Sequence, residues 1–273
     1  MLSKKSAIIQ SILLSMMFCG SSYANGLDHL PGYKFTPKKI PFLKDYKITE
    51  DVVYVEGRET FGIQRRISFK KKKSFLSIHI HVAQNKKVNR SKIINGIILN
   101  PNITGASAYN RQDPKKVGIG EALYTRNSAP ILDVLYTRVL FSRNNIVVRI
   151  SDQTKSQRTT NLKPLAEEID KDISRRIRVS LKKIESCQPI IEDFILAKKA
   201  IKAHTTTILT VKVSDPAKLK TSLFFETNGE VIKINKGYTL DSPILLGKHT
   251  VNLIVVNENL LYSEKTVSFS VVG

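Results

Sequence analysis

The sequence predicts an α+β domain, an antiparallel sheet packed with helices, followed by an all-β sandwich. Three observations carry that expectation. Residues 63–69 and 75–82 alternate apolar and polar side chains with the period of two of half-buried strands, and strand signals resume over 131–141 and 146–150. Residues 162–185 place Leu162, Leu165, Ala166, Ile169, Ile173, Ile177, Leu181 and Ile184 at spacings of three and four, the stripe of an amphipathic helix. Beyond Pro189, short β-branched runs recur with hairpin signals between them.

Residues 1–24 read as a cleavable secretory signal. Lys4 and Lys5 give the positive start, Ala7 to Phe18 a short apolar stretch, and Ser22-Tyr23-Ala24 the small residues before a cleavage site. The apolar stretch is shorter than the roughly 20 residues that a membrane-spanning helix needs. Cys19 raises a lipoprotein alternative, which the bulky Met16-Met17-Phe18 before it disfavours. The expected product is periplasmic or secreted, with no transmembrane segment in the mature chain. Cys187 is then the single cysteine, so an apolar core and not a disulfide must hold the fold.

The elements follow in order. Residues 25–50 hold Pro31, Pro37 and Pro41 and read as an irregular lead-in. Val52–Val55, Ile63–Phe69 and Phe75–Val82 read as strands, with Lys70–Lys73 as the turn of a hairpin. In the third, Leu76, Ile78, Ile80 and Val82 take one face and Phe75, Ser77, His79 and His81 the other. Residues 88–99 predict a short helix that Asn95-Gly96 interrupts, and 101–120 a loop. Ala122–Tyr124, Ile131–Phe141 and Ile146–Ile150 are strands, and the long helix from Leu162 to Glu185 follows. Strands then helix, given twice, raises the question of an internal duplication. A second short helix is expected over Ile191–Ala203, then strands at 205–213, 222–226, 230–234, 250–256 and 265–272. The expected sandwich core is Leu223, Phe225, Ile232, Leu253, Val255, Val267 and Phe269. The reading gives three parts: signal 1–24, a basic domain 25–189, and a sandwich 190–273.

The formal net charge is +21, and it is not shared evenly. Residues 25–189 hold 32 lysines and arginines against 15 aspartates and glutamates, whereas residues 190–273 hold 10 against 8. Charge of this kind speaks to partners and solubility.

The segment Leu245-Leu246-Gly247-Lys248-His249-Thr250-Val251-Asn252-Leu253-Ile254-Val255-Val256-Asn257, with Glu264 to Val271 after it, resembles the closing hairpin of bacterial immunoglobulin-like domains. The resemblance covers about residues 205–273. It implies an immunoglobulin-like sandwich and says little of function, since such modules serve as spacers, adhesion units and enzyme appendages. The family's Asp-x-x-Gly-Asn loop is replaced here by Asn257-Glu258-Asn259-Leu260, which removes an acidic loop for calcium.

Among chemical candidates, His79 and His81 sit at i, i+2 on one strand face, where both could reach one metal ion given a third ligand. Two solvent-facing histidines is the plain alternative. Cys187 with His204 matches no cysteine-hydrolase pattern, and a packed cysteine at a helix end explains it as well. No nucleotide-binding, hydrolase or metalloprotease motif is present, and no cofactor is expected. The basic clusters stand out: Arg65 and Arg66, then Lys70, Lys71, Lys72 and Lys73, then Lys86 and Lys87. They are candidates for binding an anionic polymer or envelope component, against the alternative of a solvated surface. Absence of tryptophan and of interleaved aromatics argues against nucleic acid. The expected function is an exported, non-enzymatic binding protein. Its alternatives are a structural subunit of an envelope assembly, or an enzyme using His79 and His81 or the 101–120 loop.

Overall fold

The alternating segments of the first half pair into one seven-stranded sheet. The computed structural model describes residues 29–55, 63–84, 90–99, 109–128, 135–154, 160–227, 230–234, 239–241 and 245–273. The signal segment and Lys86 and Lys87 therefore lie outside the described residues. The strands are β1 (Lys47–Val55), β2 (Ile63–Lys71), β3 (Ser74–Val82), β4 (Asn110–Gln112), β5 (Ala122–Ser128), β6 (Leu135–Arg143) and β7 (Ile146–Asp152). Their order is β1-β2-β3-β7-β6-β5-β4, with every neighbour antiparallel. Lys70 and Lys71 stay in β2, so the hairpin turns on Lys72 and Lys73 alone, Lys72 with a positive φ of 52°.

Helices cover both faces. On one, α1 (Arg90–Leu99) buries Ile93, Ile94 and Ile97 with Leu140 and Val147. Burial of about 2 kcal/mol per such side chain outweighs the roughly 1 kcal/mol that a helical glycine costs, so Asn95-Gly96 does not interrupt it. The one-turn α2 (Pro114–Val117), capped by Asp113, lies with β4 in the stretch expected to be loop. On the opposite face, α3 (Lys163–Ser174) buries Leu165, Ala166, Ile169 and Ile173. Arg143 ties it to the end of β6 by donating to both carboxylate oxygens of Asp170, at 2.5 and 2.6 Å. With α1 and α3 on opposite faces, no two-fold rotation relates the two strand-and-helix halves.

The single helix expected from Leu162 to Glu185 is two. After α3 the chain opens, leaving Ile177 82% exposed, and Val179 pairs with His29 in an isolated bridge. Ser180 then caps α4 (Leu181–Glu185), its hydroxyl accepting from the Lys183 N–H. Backbone pairing with the lead-in thus overrides the helical spacing of the sequence.

Two sheets make up the rest: β13-β10-β8 and β12-β11-β14-β15-β9. Their strands are β8 (Ile190–Leu196), β9 (Ala200–Lys202), β10 (Thr206–Ser214), β11 (Thr221–Thr227), β12 (Glu230–Ile234), β13 (Thr239–Asp241), β14 (Gly247–Asn257) and β15 (Tyr262–Val272). The helix expected over 191–203 is replaced by β8 and β9. Its apolar residues satisfy a helical spacing, but β8 pairs with β10 across Leu196 and Leu209, and Phe194 and Leu196 enter the core between the sheets. Phe225, Leu253, Val255 and Phe269 fill that core as expected, with Leu223 and Val267 half-buried against it. The Ile232 side chain and the Asn228-Gly229 turn lie outside the described residues. Over the described residues the chain is mostly β.

A second, larger core joins the parts. Ile67, Phe69, Ile78, Ile80, Val148 and Ile150 of the first sheet pack with Leu30, Tyr33, Phe35, Ile40 and Leu43 of the lead-in, and with Phe224, Ile254, Val256, Leu260 and Leu261 of the sandwich. Polar groups pin the contact. The Gln84 amide donates to the Tyr262 carbonyl and accepts from the Tyr262 N–H, at 3.0 and 2.9 Å. Tyr33 N–H donates to the Asn259 carbonyl at 2.9 Å. Gly32, at φ 90°, must be glycine there, since a Cβ would lie 2.5 Å from that same carbonyl oxygen. Among the described residues no helix is long and apolar enough to cross a membrane.

Candidate anion-binding site

Strand parity decides which basic side chains can act together. On β2, Arg65 and Arg66 are sequence neighbours but face opposite ways. Arg65 turns to the covered side, donating to both Asp51 carboxylate oxygens at 2.7 Å and to the Phe35 carbonyl at 2.9 Å. It is a structural residue, not a ligand-facing one. Arg66 lies on the other face with Gln64, Ser68 and Lys70.

Pairing extends that face across the sheet. Arg66 is opposite His79 of β3, and His79 is opposite Arg149 of β7. In the next row Ser68, Ser77 and Ser151 line up across the same three strands, and Ser151 is opposite Arg138 of β6. Arg66, Arg138 and Arg149, from three strands, therefore share a face with a row of three serines. Ser77 and Ser151 are buried, while Arg66, Arg138 and Arg149 are half-exposed above them. Gln153, one step further along β7, donates to the Ser77 hydroxyl at 3.2 Å. Lys70 forms the rim, its ammonium 5.3 Å from the centre of the Phe75 ring.

A carboxylate on this face meets Arg66. Glu50 of β1 accepts from Arg66 at 2.5 Å, from Ser68 at 3.0 Å and from the Tyr54 hydroxyl at 3.0 Å. Arg66 also donates to the Tyr54 hydroxyl and stacks on its ring. Chiefly through Arg66, the Glu50 carboxyl is held below the usual carboxylate range.

His79 is not a third cation. Burial first, then the charges of Arg149, His81 and Arg66, lower its pKa to about 2. The neutral ring can accept at Nδ1, where an Arg149 nitrogen lies 2.9 Å away. The Gln64 amide, which can present its nitrogen by a flip, lies 2.9 Å from the same atom. Arginine is always protonated, so Arg149 must be the donor. The arrangement orients a guanidinium without neutralising it.

The histidines thus differ from the sequence expectation. Both are buried, not solvent-facing, because α1 and the arginines cover their face. Among the described residues no three His, Cys, Asp or Glu side chains cluster to hold a metal ion, and an Arg149 nitrogen lies against His79 Nδ1. Elsewhere, Lys71 pairs with Asp45 at 2.9 Å, and Lys72 and Lys73 occupy the turn. Cys187 packs against the large core, and His204 lies in the turn before β10.

Three solved structures are similar to stretches of this chain. The PKD1 domain of Vibrio anguillarum Epp is 17% identical over a match covering 31% of this chain and 93% of that one, with a TM-score of 0.25. For the fibronectin(III)-like modules of Clostridium thermocellum CbhA the values are 11%, 83%, 92% and 0.26. For an extracellular domain of a B. thetaiotaomicron hybrid two-component system they are 11%, 80%, 31% and 0.24. No family model matches the chain, and no curated protein matches it.

Strand order, not these scores, decides the fold of the last part. Its first strand is split: β8 joins β10 and β13, while β9 crosses to pair in parallel with the final strand β15. The other sheet holds the third, fourth, sixth and seventh strands. Residues 205–273 lie in an immunoglobulin-like β-sandwich. Its last hairpin is built on Asn257, whose side chain accepts from the N–H groups of Asn259 and Leu261 and donates to Asp215.

Sequence reasoning missed Arg138 and Arg149. Neither has a basic residue beside it in sequence, so neither belongs to a run of basic residues. The usable signal was an arginine at an alternate position of a strand otherwise apolar on both sides, as in Val147-Val148-Arg149-Ile150.

Proposed function

We propose that this chain is an exported, non-enzymatic binding protein that holds an anionic envelope or surface component on the first sheet. The observation that carries the reading is that Arg66, Arg138 and Arg149, from three strands, share one face of the first sheet. The excess of 32 basic over 15 acidic residues across 25–189 supplies the long-range attraction. In this reading residues 25–189 are the α+β binding domain, and the immunoglobulin-like sandwich is the support packed beneath it. Residues 1–24 are removed on export, so mass spectrometry of the secreted form finds Asn25 first.

Retention on heparin resin tests the reading. The chain from Asn25 onward is expected to bind at low salt. With four to six phosphate- or sulfate-like contacts it loses about 100-fold in affinity between about 50 and 200 mM salt. Replacing Lys70, Lys71, Lys72 and Lys73 by serine weakens retention modestly, since only Lys70 borders the face. No retention at low salt would leave the charge without a binding role.

A second reading, a structural subunit of an envelope assembly, is favoured by the outer face of β8 and β10. There Ile195 and Ile208 are 54% and 65% exposed. Ile195→Ser with Ile208→Ser would abolish any self-association seen by light scattering if that face is an interface.

A further inference from the structure

We infer that the far end of the sandwich docks on an anionic lipid surface. The surface is remote from the sheet face above, and the inference does not depend on that reading. β14 runs from this end, at Gly247, to Asn257 at the junction with the first sheet, a span of about 33 Å at strand rise.

The apolar part is small and projects. Leu245 and Leu246 are 75% and 64% exposed, and Val272 is 42% exposed. Gly247 pairs with Val271, so Leu246 and Val272 each lie one residue further out on adjacent chains. The leucines are held there. His249 stacks on the buried Phe269, ring centres 5.6 Å apart, and its Nε2 donates to the Leu245 carbonyl at 2.7 Å. A carbonyl can only accept, so the ring carries a proton on that nitrogen. Gly247 completes the bend with φ at 125°, where a side chain would be strained.

The charged part sits behind the leucines. Lys248 is opposite Ser270 of β15. Lys198 and Lys199 lie in the crossing from β8 to β9, where the Lys199 carbonyl accepts from the Ser270 N–H at 2.8 Å. All three lysines are exposed, and none is in an ion pair among the described residues. Residues 196–209, 245–250 and 267–272, which meet here, hold no aspartate or glutamate. Asp241 enters opposite Thr206 of β10.

Depth and charge select the occupant. Counted in strand rise, the lysine backbones trail Leu246 by about 7–10 Å. Interfacial elements bury their apolar side about 5–10 Å into the boundary between headgroups and acyl chains. Leucines at that depth bring the lysines level with the lipid phosphates. A second copy docked end to end would set the same lysines against one another, whereas anionic headgroups attract them.

The test uses the chain from Asn25 onward, without the apolar signal segment, and phosphatidylcholine vesicles with and without phosphatidylglycerol. The chain has no tryptophan, so Leu246→Trp carries a single reporter. Phe75→Trp carries one on the first sheet, where Phe75 is 40% exposed. Leu246→Trp emission is expected to shift to shorter wavelength with phosphatidylglycerol vesicles and to be quenched by brominated acyl chains, and Phe75→Trp emission to do neither. In co-sedimentation, Leu245→Ser with Leu246→Ser weakens vesicle binding about tenfold or more. Lys198→Ser, Lys199→Ser and Lys248→Ser each weaken it about fivefold. Melting curves matching wild type show that these exposed replacements leave the fold intact. Unchanged Leu246→Trp emission, or serine variants that bind like wild type, overturns the inference. A shift at Phe75→Trp in its place assigns the lipid contact to the first sheet. Self-association without vesicles that the leucine pair abolishes assigns this end to a second copy, and it overturns the inference as well.

Discussion

Arg149 reaches across from β7 to place a guanidinium nitrogen 2.9 Å from Nδ1 of His79, joining an always-charged group to an imidazole that stays neutral. That relationship makes the basic face insensitive to pH while making the fold sensitive to acid.

The acid effect has a definite sign. His79 refuses a proton in the fold until about pH 2, against 6.5 for its ordinary value. Its facing groups are Arg149 on β7, Arg66 and Gln64 on β2, and His81 on its own strand. The stability it contributes is complete above the unfolded value and is lost as pH falls, by at most about 1.4 kcal/mol per pH unit. Urea unfolding between about pH 7 and 4 should show this slope, and His79→Gln should flatten it. Equal slopes in the two proteins would refute the assignment.

Glu50 acts as an internal competitor for Arg66. Glu50→Gln removes that charge while keeping hydrogen-bonding capacity, so heparin retention should shift to higher salt, by about 1 kcal/mol or less for a half-exposed pair. A decrease in affinity would mean that Glu50 holds Arg66 in its binding position instead.

A self-contained sandwich over residues 190–273 would fold alone, but the core it shares with the first sheet predicts otherwise. Cut away from the first sheet, the sandwich exposes Phe224, Ile254, Val256, Leu260 and Leu261. The isolated segment should bind a hydrophobic dye and self-associate, and Leu260→Ser with Leu261→Ser should reduce both. Within the whole chain, Gln84→Ala strands the Tyr262 N–H and carbonyl and should cost about 2–3 kcal/mol. Cooperative, monomeric unfolding of the isolated segment without dye binding would show that the interface is dispensable.

Arg143 and Asp170 form the other junction, between β6 and α3. Asp170 is 5% exposed, so Arg143→Met leaves a buried carboxylate without its partner and should cost about 3–5 kcal/mol. Adding Asp170→Leu should restore most of that loss. Thermal melts of the single and double variants decide it, and additive losses would contradict the pairing.

The strands were legible because burial writes alternation directly into residues 63–69 and 75–82. Two helices were misread for one reason. The spacing of Ile190, Ile191, Phe194 and Ile195 fits a helix as well as a strand, and the apolar stripe beyond Ile173 fits one too. Pairing with β10 and with His29 settles these segments, and partners distant in sequence leave no local mark. The binding face was legible only in part. Arg66 lies in a visible basic cluster, whereas Arg138 and Arg149 join it through the register of β2, β3, β7 and β6. Runs of lysine draw the eye to turns, where charge is solvated and side chains diverge.

Two double variants that remove equal charge test the central claim most directly. Arg138→Met with Arg149→Met removes two positive charges from the face. Lys72→Ser with Lys73→Ser removes two from the turn. Measured by the salt concentration at which each folded protein leaves heparin resin, the arginine pair should elute far earlier than wild type, and the lysine pair close to it. Equal shifts in the two variants would show that net charge alone sets the binding and that the sheet face is no site.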